Sequence, residues 1–285
     1  MLKKIRKLIR DKKKRVRYEI ELFFLKIFET PFKEIEKISH KKTNFYKHII
    51  PNIVYQTWID NKFGKSHAQS IKKFRSMNPD MEFRLFDTSE LDIYMQKSYG
   101  CHPIFNIYKN TKFGPMKADI FRYCILYEMG GFYVDIKSSL SKQISELCPA
   151  DVDGFIAFES SRLHLPPDDN CLAKIQHIDR YVVQWGMGFK KEHPILKEMI
   201  ESICLNYDFY KGRVFENPKD AILLYTGPGK FTQVVRNQIA NNDLIKVYQA
   251  GIDFHGFGNY EVRGSRSRYI VNPAYINFSS TAIVY

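Results

Sequence analysis

KADIFRYCILYEMGGFYVDIK, residues 117–137, joins a helix to a strand through a pair of glycines. Its apolar residues recur at helical spacing over residues 117–129, which predicts a helix. Asp119 and Arg122 are three apart and share one face of that helix. Gly130-Gly131 ends it, because glycine is favoured just past a helix C-terminus and disfavoured inside. Phe132, Tyr133, Val134 and Ile136 then read as a short buried strand, β-branched and aromatic, interrupted by Asp135. A carboxylate at the carboxyl end of such a strand lies where open α/β sheets bind their ligands. Leaving its charge in an apolar run is costly unless cations or donors compensate it, so Asp135 marks a site.

Working outward, strands and helices alternate. Residues 53–59 form a first core strand, and a helix over residues 66–77 is ended by Asn78-Pro79. In residues 81–86, Met81, Phe83 and Leu85 alternate with Glu82 and Arg84, as in a half-buried strand. A helix near residues 89–99 precedes the central stretch. After it come a strand over residues 154–158, a loop with Pro166, Pro167, Asp168 and Asp169, and a helix from His193-Pro194 to about Tyr207. A further region ends in Tyr225-Thr226-Gly227-Pro228-Gly229. This order implies an α/β fold with a mostly parallel sheet. No repeat or low-complexity linker divides residues 49–285, which read as one domain behind a helical extension at residues 1–48.

That extension holds much of the charge. The net charge is +13, and ten Lys and Arg residues crowd the first seventeen positions against the single acid Asp11. Leu2, Ile5, Ile9, Val16, Ile20, Phe23, Phe24 and Ile27 fall near three- and four-residue spacing, an amphipathic helix with a basic face. Such a helix suits an anionic membrane surface. A solvated helix, or one docked on the protein's own core, fits the same pattern. Nucleic acid is disfavoured, since no stacking or base-reading pattern accompanies the basic run.

With 44% hydrophobic residues the chain can bury a sizeable core, which excludes wholesale disorder. Five cysteines (Cys101, Cys124, Cys148, Cys171, Cys204) without CxxC spacing argue for reduced thiols rather than a disulfide frame or zinc cluster. No run reaches the ~18 apolar residues of a membrane span, and no signal peptide is legible. His164, His177 and His193 have no ligand spacing, and there is no nucleophile elbow or Walker loop.

Trp58, Asn78-Pro79, Ala118-Asp119-x-x-Arg122-Tyr123, Gly130-Gly131-x-Tyr133-x-Asp135 and Thr226-Gly227-Pro228, in that order, resemble the glycosyltransferases with a DXD sugar-binding region. These include initiation-type mannosyltransferases and capsule or lipopolysaccharide transferases. The resemblance spans about residues 51–257 and implies a GT-A fold, a Rossmann-like sheet that binds a nucleotide-sugar donor with a divalent metal, Mn²⁺ or Mg²⁺. It implies that Asp119 and Arg122 contact the donor sugar, that Asp135 is the first acid of the motif, and that Trp58 stacks on the base. Tyr55, Gln56 and Gly131 would complete the donor pocket. Asn277, Ser279 and His255 are candidate late metal ligands.

The chain departs from the pattern at Lys137, where the second acid is expected. Three readings stay open: Asp135 holds metal with help from elsewhere, Lys137 takes over part of the metal's role at the diphosphate, or the site is inactive. The expected activity is transfer of a hexose from a nucleotide diphosphate, with UDP the expected nucleotide, to a hydroxyl of a capsular or lipooligosaccharide glycan, with retention. Asp135, Lys137 and Arg122 are the candidate catalytic residues. A non-catalytic sugar-nucleotide scaffold and a basic membrane or nucleic-acid adaptor are the alternatives. The absence of a Golgi-type anchor favours a bacterial enzyme, cytoplasmic and peripheral at the inner membrane face.

Overall fold

The structure is a computed structural model that describes residues 2–41, 49–162, 174–270 and 279–285, with side chains from Val16 onward. Its centre is an eight-stranded sheet. The strands are β1 (Ile38–Ser39), β2 (Ile53–Thr57), β3 (Glu82–Phe86), β4 (Gly131–Val134), β5 (Gly154–Arg162), β6 (Arg180–Val182), β7 (Gly186–Phe189) and β8 (Val247–Ile252). They lie in the order β8-β5-β7-β4-β2-β3-β1, with β6 beside β5. β2 runs parallel to β3 and β4, and β5 runs parallel to β8. β7 is antiparallel to both β4 and β5, so those two share a direction. Hence β2, β3, β4, β5 and β8 all point one way, as the alternating pattern implied, and their carboxyl ends share one rim.

Period-two alternation decides what each face packs. Tyr55, Tyr133, Ile156, Phe158, Met187 and Phe189 point into the larger core. The other face carries Val54, Phe132, Val134, Phe155 and Ala157. Among the described residues eight longer helices complete the frame: α1 (Leu2–Glu29), α2 (Lys65–Met77), α3 (Thr88–Tyr99), α4 (Pro103–Asn110), α5 (Gly114–Met129), α6 (Pro194–Leu205), α7 (Pro218–Tyr225) and α8 (Pro228–Asn241). Helices α3 to α8 cover the larger core, while α2 and the short helix Ile144–Leu147 serve the second face. Among these, α5 is buried on nearly every side from Met116 to Leu126. It ends where expected, at Gly130 (φ +66°), and Gly131 (φ +113°) leads directly into β4.

Two features depart from the sequence reading. Residues 33–39 do not stay with the N-terminal helix: β1 lies on the sheet edge against β3, and Lys33–Glu34 pairs with Lys62–Phe63. Strand β7 was not legible because half of it is glycine. Gly188 lies opposite Phe132, and a Cβ there would sit 2.4 Å from the Phe132 ring. The bulk that fills this part of the face comes from the neighbouring strand, so the strand's own composition carries no β signal.

Among its described side chains, from Val16 onward, helix α1 is docked by one side. Glu21 pairs with Arg266 at 2.9 Å, Tyr18 meets the Tyr269 ring, and the Glu29 carboxylate accepts the Ser66 N–H at 2.8 Å. The opposite stripe, Val16, Ile20, Phe23, Phe24, Ile27 and Phe28, is 47–66% exposed. The described part of its apolar face is therefore not part of the protein's own core.

Gly188→Ala should destabilise the fold by about 1–3 kcal/mol through overpacking against Phe132. Thermal unfolding of the purified variant reads this directly, and an unchanged midpoint would contradict the packing described.

Candidate active site

The site grows from the middle of α5 and the end of β4. Arg122 is 5% exposed, and a guanidinium so buried needs its donors answered. Its Nη1 donates to the Gln184 carbonyl at 2.9 Å, and its Nη2 lies 3.2 Å from Asp135 Oδ1 and 3.3 Å from Asp119 Oδ1. The guanidinium also rests over the Tyr133 ring, 4.5 Å from its centroid. Tyr133 and Asp135, two apart on the strand, face the same side, which delivers both to Arg122.

Asp119 is held by a second segment. Its Oδ2 accepts the Thr226 hydroxyl at 3.1 Å, and the Thr226 carbonyl accepts from Tyr123 at 2.9 Å and from Gln184 Nε2 at 2.9 Å. Thus the Asp-x-x-Arg-Tyr, Gly-Gly-x-Tyr-x-Asp and Thr-Gly-Pro segments, distant in sequence, close into one hydrogen-bonded network. Burial pushes the Asp119 carboxyl up to about 7, against the lowering pull of Arg122 and the Thr226 hydroxyl. Burial opposes the Arg122 charge too, but Tyr133, Asp135 and Asp119 outweigh it and hold the proton more tightly than usual.

Asp135 occupies the sheet rim with its side chain 18% exposed, whereas Asp119 and Arg122 beneath it are sealed. Its N–H donates to the Trp185 carbonyl at 2.7 Å, and its own carbonyl accepts from Ser138 N–H at 2.7 Å, which turns the chain after β4. The turn brings Lys137 Nζ to 3.7 Å from Asp135 Oδ2. Lys137 also donates to the Tyr260 hydroxyl at 2.7 Å and lies over that ring at 4.0 Å. Opposite, His67 Nε2 meets the Ile136 carbonyl at 2.9 Å; burial pushes this imidazole down to about 4, so it is a neutral support for the turn.

The remaining candidates divide. Trp58 is half-buried near the rim, one ring face stacked on Phe63 and its edge against His67. Tyr55 and Gln56 are not brought to the rim. Tyr55 is fully buried beside Phe86, and Gln56 binds the Val134 carbonyl and Arg75 inside the sheet. Strand alternation sends both inward from a strand buried on its two faces. Gly131 opens β4, at the end opposite Asp135, where a Cβ would meet the Ile53 carbonyl at 2.8 Å. His255 is exposed and faces the Tyr248 hydroxyl at 3.2 Å. Ser279 is exposed beside the short ladder of Val214–Phe215 with Thr281–Ala282. Asn277, His164, Asp168 and Asp169 lie outside the described residues.

Sequence reading missed Gln184, Trp185, Tyr260, His67 and Glu159. Glu159 was findable by the logic that found Asp135: it follows Phe155-Ile156-Ala157-Phe158, toward the carboxyl end of a strand that points the same way. Burial raises its carboxyl, with the Ser161 hydroxyl and Lys137 pulling the other way. The rest act through backbone carbonyls or loop positions that leave no pattern.

A divalent cation of the kind the resemblance implies does not fit these residues. Each Asp135 oxygen faces a cation, Arg122 on one side and Lys137 on the other. Among the described residues no group of three His, Cys, Asp or Glu side chains could hold a metal.

The buried Asp119 carboxyl links stability to pH. Between the unfolded value near 3.9 and about 7, the folded state binds more protons, so this group's contribution to stability falls as pH rises through that window. Across that range wild type should lose stability relative to Asp119→Asn, whose amide does not titrate. Parallel melting-temperature profiles for the two proteins would refute the assignment.

Residues 64–153 match the family model described as "Glycosyltransferase sugar-binding region containing DXD motif". The chain is 27% identical over 208 residues to the initiation-specific alpha-1,6-mannosyltransferase of Candida albicans, covering 67% of this chain and 54% of that protein. It is 24% identical over 213 residues to inositol phosphoceramide mannosyltransferase 3 of Schizosaccharomyces pombe, covering 73% and 51%. The chain thus spans about half the length of the curated relatives it matches. Among solved structures, PaToxG glycosyltransferase superposes with a TM-score of 0.49 at 18% identity, over 84% of this chain and 82% of that one. The sequence relatives are fungal, which overturns the expectation of a bacterial enzyme at an inner membrane face. That expectation rested on a missing anchor, and a missing apolar run carries no information about origin. Among the described residues no helix is long and apolar enough to cross a membrane. The matched region contains Asp119, Arg122 and Asp135, so the site described above lies within the part of the chain that is similar to the sugar-binding region of DXD-motif glycosyltransferases.

Proposed function

We propose that this protein transfers a hexose from a nucleoside diphosphate sugar to a hydroxyl of a glycan or lipid-linked acceptor. One observation carries the reading: three separated segments close into one network, Thr226 on Asp119, Asp119 on Arg122 and Arg122 on Asp135, which presents Asp135, partly exposed, at the carboxyl rim of the co-directional strands. The relatives' names support mannose as the sugar.

In this reading Asp119, Arg122 and Asp135 orient the donor through hydroxyl hydrogen bonds to charged groups, the strong and directional kind. The acceptor hydroxyl oxygen forms a bond to the anomeric carbon. The bond from that carbon to the phosphate oxygen breaks, its electron pair leaving on the diphosphate. The acceptor's proton passes to the departing phosphate oxygen on the same face. That front-side course retains configuration and needs no covalent protein intermediate. The alpha-1,6 linkage in the name of the Candida albicans relative suits retention from an α-linked donor. What the protein supplies is positioning and neutralisation of the leaving charge.

A panel of nucleotide sugars scored for hydrolysis and transfer tests this. GDP- and UDP-hexoses are the informative members, and Asp135→Asn should lower turnover by at least about tenfold to a thousandfold, in keeping with loss of one preorganised electrostatic group. Nucleotide binding with no sugar released from any donor would replace the transferase reading with that of a scaffold.

The exposed stripe of α1 suits an anionic bilayer. Its apolar side chains would enter the headgroup boundary, and the ten basic residues among the first seventeen complement the lipid charge. The same helix is fastened to the 3₁₀ turn Ser265–Ile270, just beyond Val262, whose N–H donates to the Lys137 carbonyl at 2.8 Å. Membrane contact would therefore sit close to the site, as a lipid-linked acceptor requires. Co-sedimentation with phosphatidylserine-containing vesicles should exceed that with neutral vesicles, weaken with salt, and fall about tenfold in Phe23→Asp. Equal binding to neutral vesicles, or no effect of the variant, would refute it.

A further inference from the structure

We propose that Lys137, together with Arg122, does at this site the electrostatic work that a divalent cation does where the motif's second position is an acid, so that nucleoside diphosphate binding here needs no metal. This rests on the nucleotide-sugar reading above and specifies how the diphosphate is held.

The donor set is the first reason. A hard divalent cation sits about 2.0–2.6 Å from several carboxylate or carbonyl oxygens. Asp135 is the motif acid at the rim, and its two oxygens already lie 3.2 Å from Arg122 Nη2 and 3.7 Å from Lys137 Nζ. A cation seated on Asp135 would meet two positive groups at short range with no second motif acid to offset them. The deeper acid, Asp119, is committed to Arg122 and to the Thr226 hydroxyl.

The second reason is how Lys137 is held. Its ammonium lies over the Tyr260 ring at 4.0 Å and gives one hydrogen bond to the Tyr260 hydroxyl at 2.7 Å. An ammonium has three donors. The Asp135 oxygen at 3.7 Å is an ion-pair neighbour beyond hydrogen-bond length, so donors remain for a ligand. The side chain is 21% exposed, oriented by aromatic and acidic neighbours yet open to the rim. Tyr260 itself is fixed through its carbonyl, which accepts the Ser138 hydroxyl at 2.6 Å, and through the pairing of Gly258–Asn259 with Ser139–Leu140.

The third reason is charge balance. The motif residues set two acids, Asp119 and Asp135, against two bases, Arg122 and Lys137, with the Glu159 carboxyl also within reach of Lys137. Replacing Lys137 with an acid leaves the cluster strongly negative, a setting that a diphosphate tolerates only with a metal between. With lysine in place the pyrophosphate meets a fixed positive charge, and no ion has to be recruited before binding.

Isothermal titration of the full chain with GDP and with UDP, in chelator and in Mn²⁺, tests this without relying on turnover. For whichever nucleotide binds wild type, the Kd should agree within about twofold between the two conditions. Lys137→Met should weaken binding at least tenfold in both. Lys137→Asp should weaken it in chelator, recover with Mn²⁺, and give a bound-Mn²⁺ electron paramagnetic resonance signal that wild type lacks. Wild-type binding that tightens tenfold or more with Mn²⁺, or a bound-Mn²⁺ signal in wild type, would overturn the proposal while sustaining the glycosyltransferase reading. Wild type that binds neither nucleotide under any condition would overturn both. The wild-type comparison decides the matter even if a variant fails to fold.

Discussion

A guanidinium buried beneath two carboxylates is the constraint on which the rest depends. Arg122 sits inside a helix enclosed on nearly all sides, where an isolated charge could not persist. Asp119 comes from its own helix, Asp135 from the end of β4, the Gln184 carbonyl from the loop before β7, and the Tyr133 ring from the sheet. Removing one partner from such an arrangement typically costs about 3–5 kcal/mol, since the others stay buried and uncompensated. The same pairing that makes the core tolerable fixes the carboxylate at the rim.

The reversed strand β7 completes this geometry. It separates β4 from β5, and the segment leading into it supplies two carbonyls, Gln184 to Arg122 and Trp185 to the Asp135 N–H. Its glycines let it lie flat over the Phe132 and Phe254 rings. Packing on one face of the sheet is thus tied to the polar arrangement at its end. On the far side, the neutral His67 imidazole and the Tyr260 segment hold the turn Asp135-Ile136-Lys137 from both flanks.

Similarity to the DXD sugar-binding region sets an expectation that the motif's second position modifies. The matched family is defined by a pair of acids, and this chain keeps the first while placing an ammonium where the second would stand. A lysine at that point changes the charge logic of the site rather than its location. Asp119, Arg122 and Asp135 keep the convergence expected of a donor-binding centre.

The sequence alone determined the helix–glycine–strand unit around Asp135, the shared face of Asp119 and Arg122, the α/β alternation, and the apolar, basic character of α1. Each is a local matter of periodicity, capping and charge, so it is written in consecutive residues. It also marked Thr226 as part of the pattern without saying what the hydroxyl does. Tertiary structure alone decided that Tyr55 and Gln56 serve the core, that Gly131 faces the wrong end of β4, that a glycine-rich segment is a central strand, and that Gln184, Trp185 and Tyr260 build the site. These depend on which backbone carbonyl or ring a neighbour presents, and such contacts between distant segments leave no periodic trace in either one.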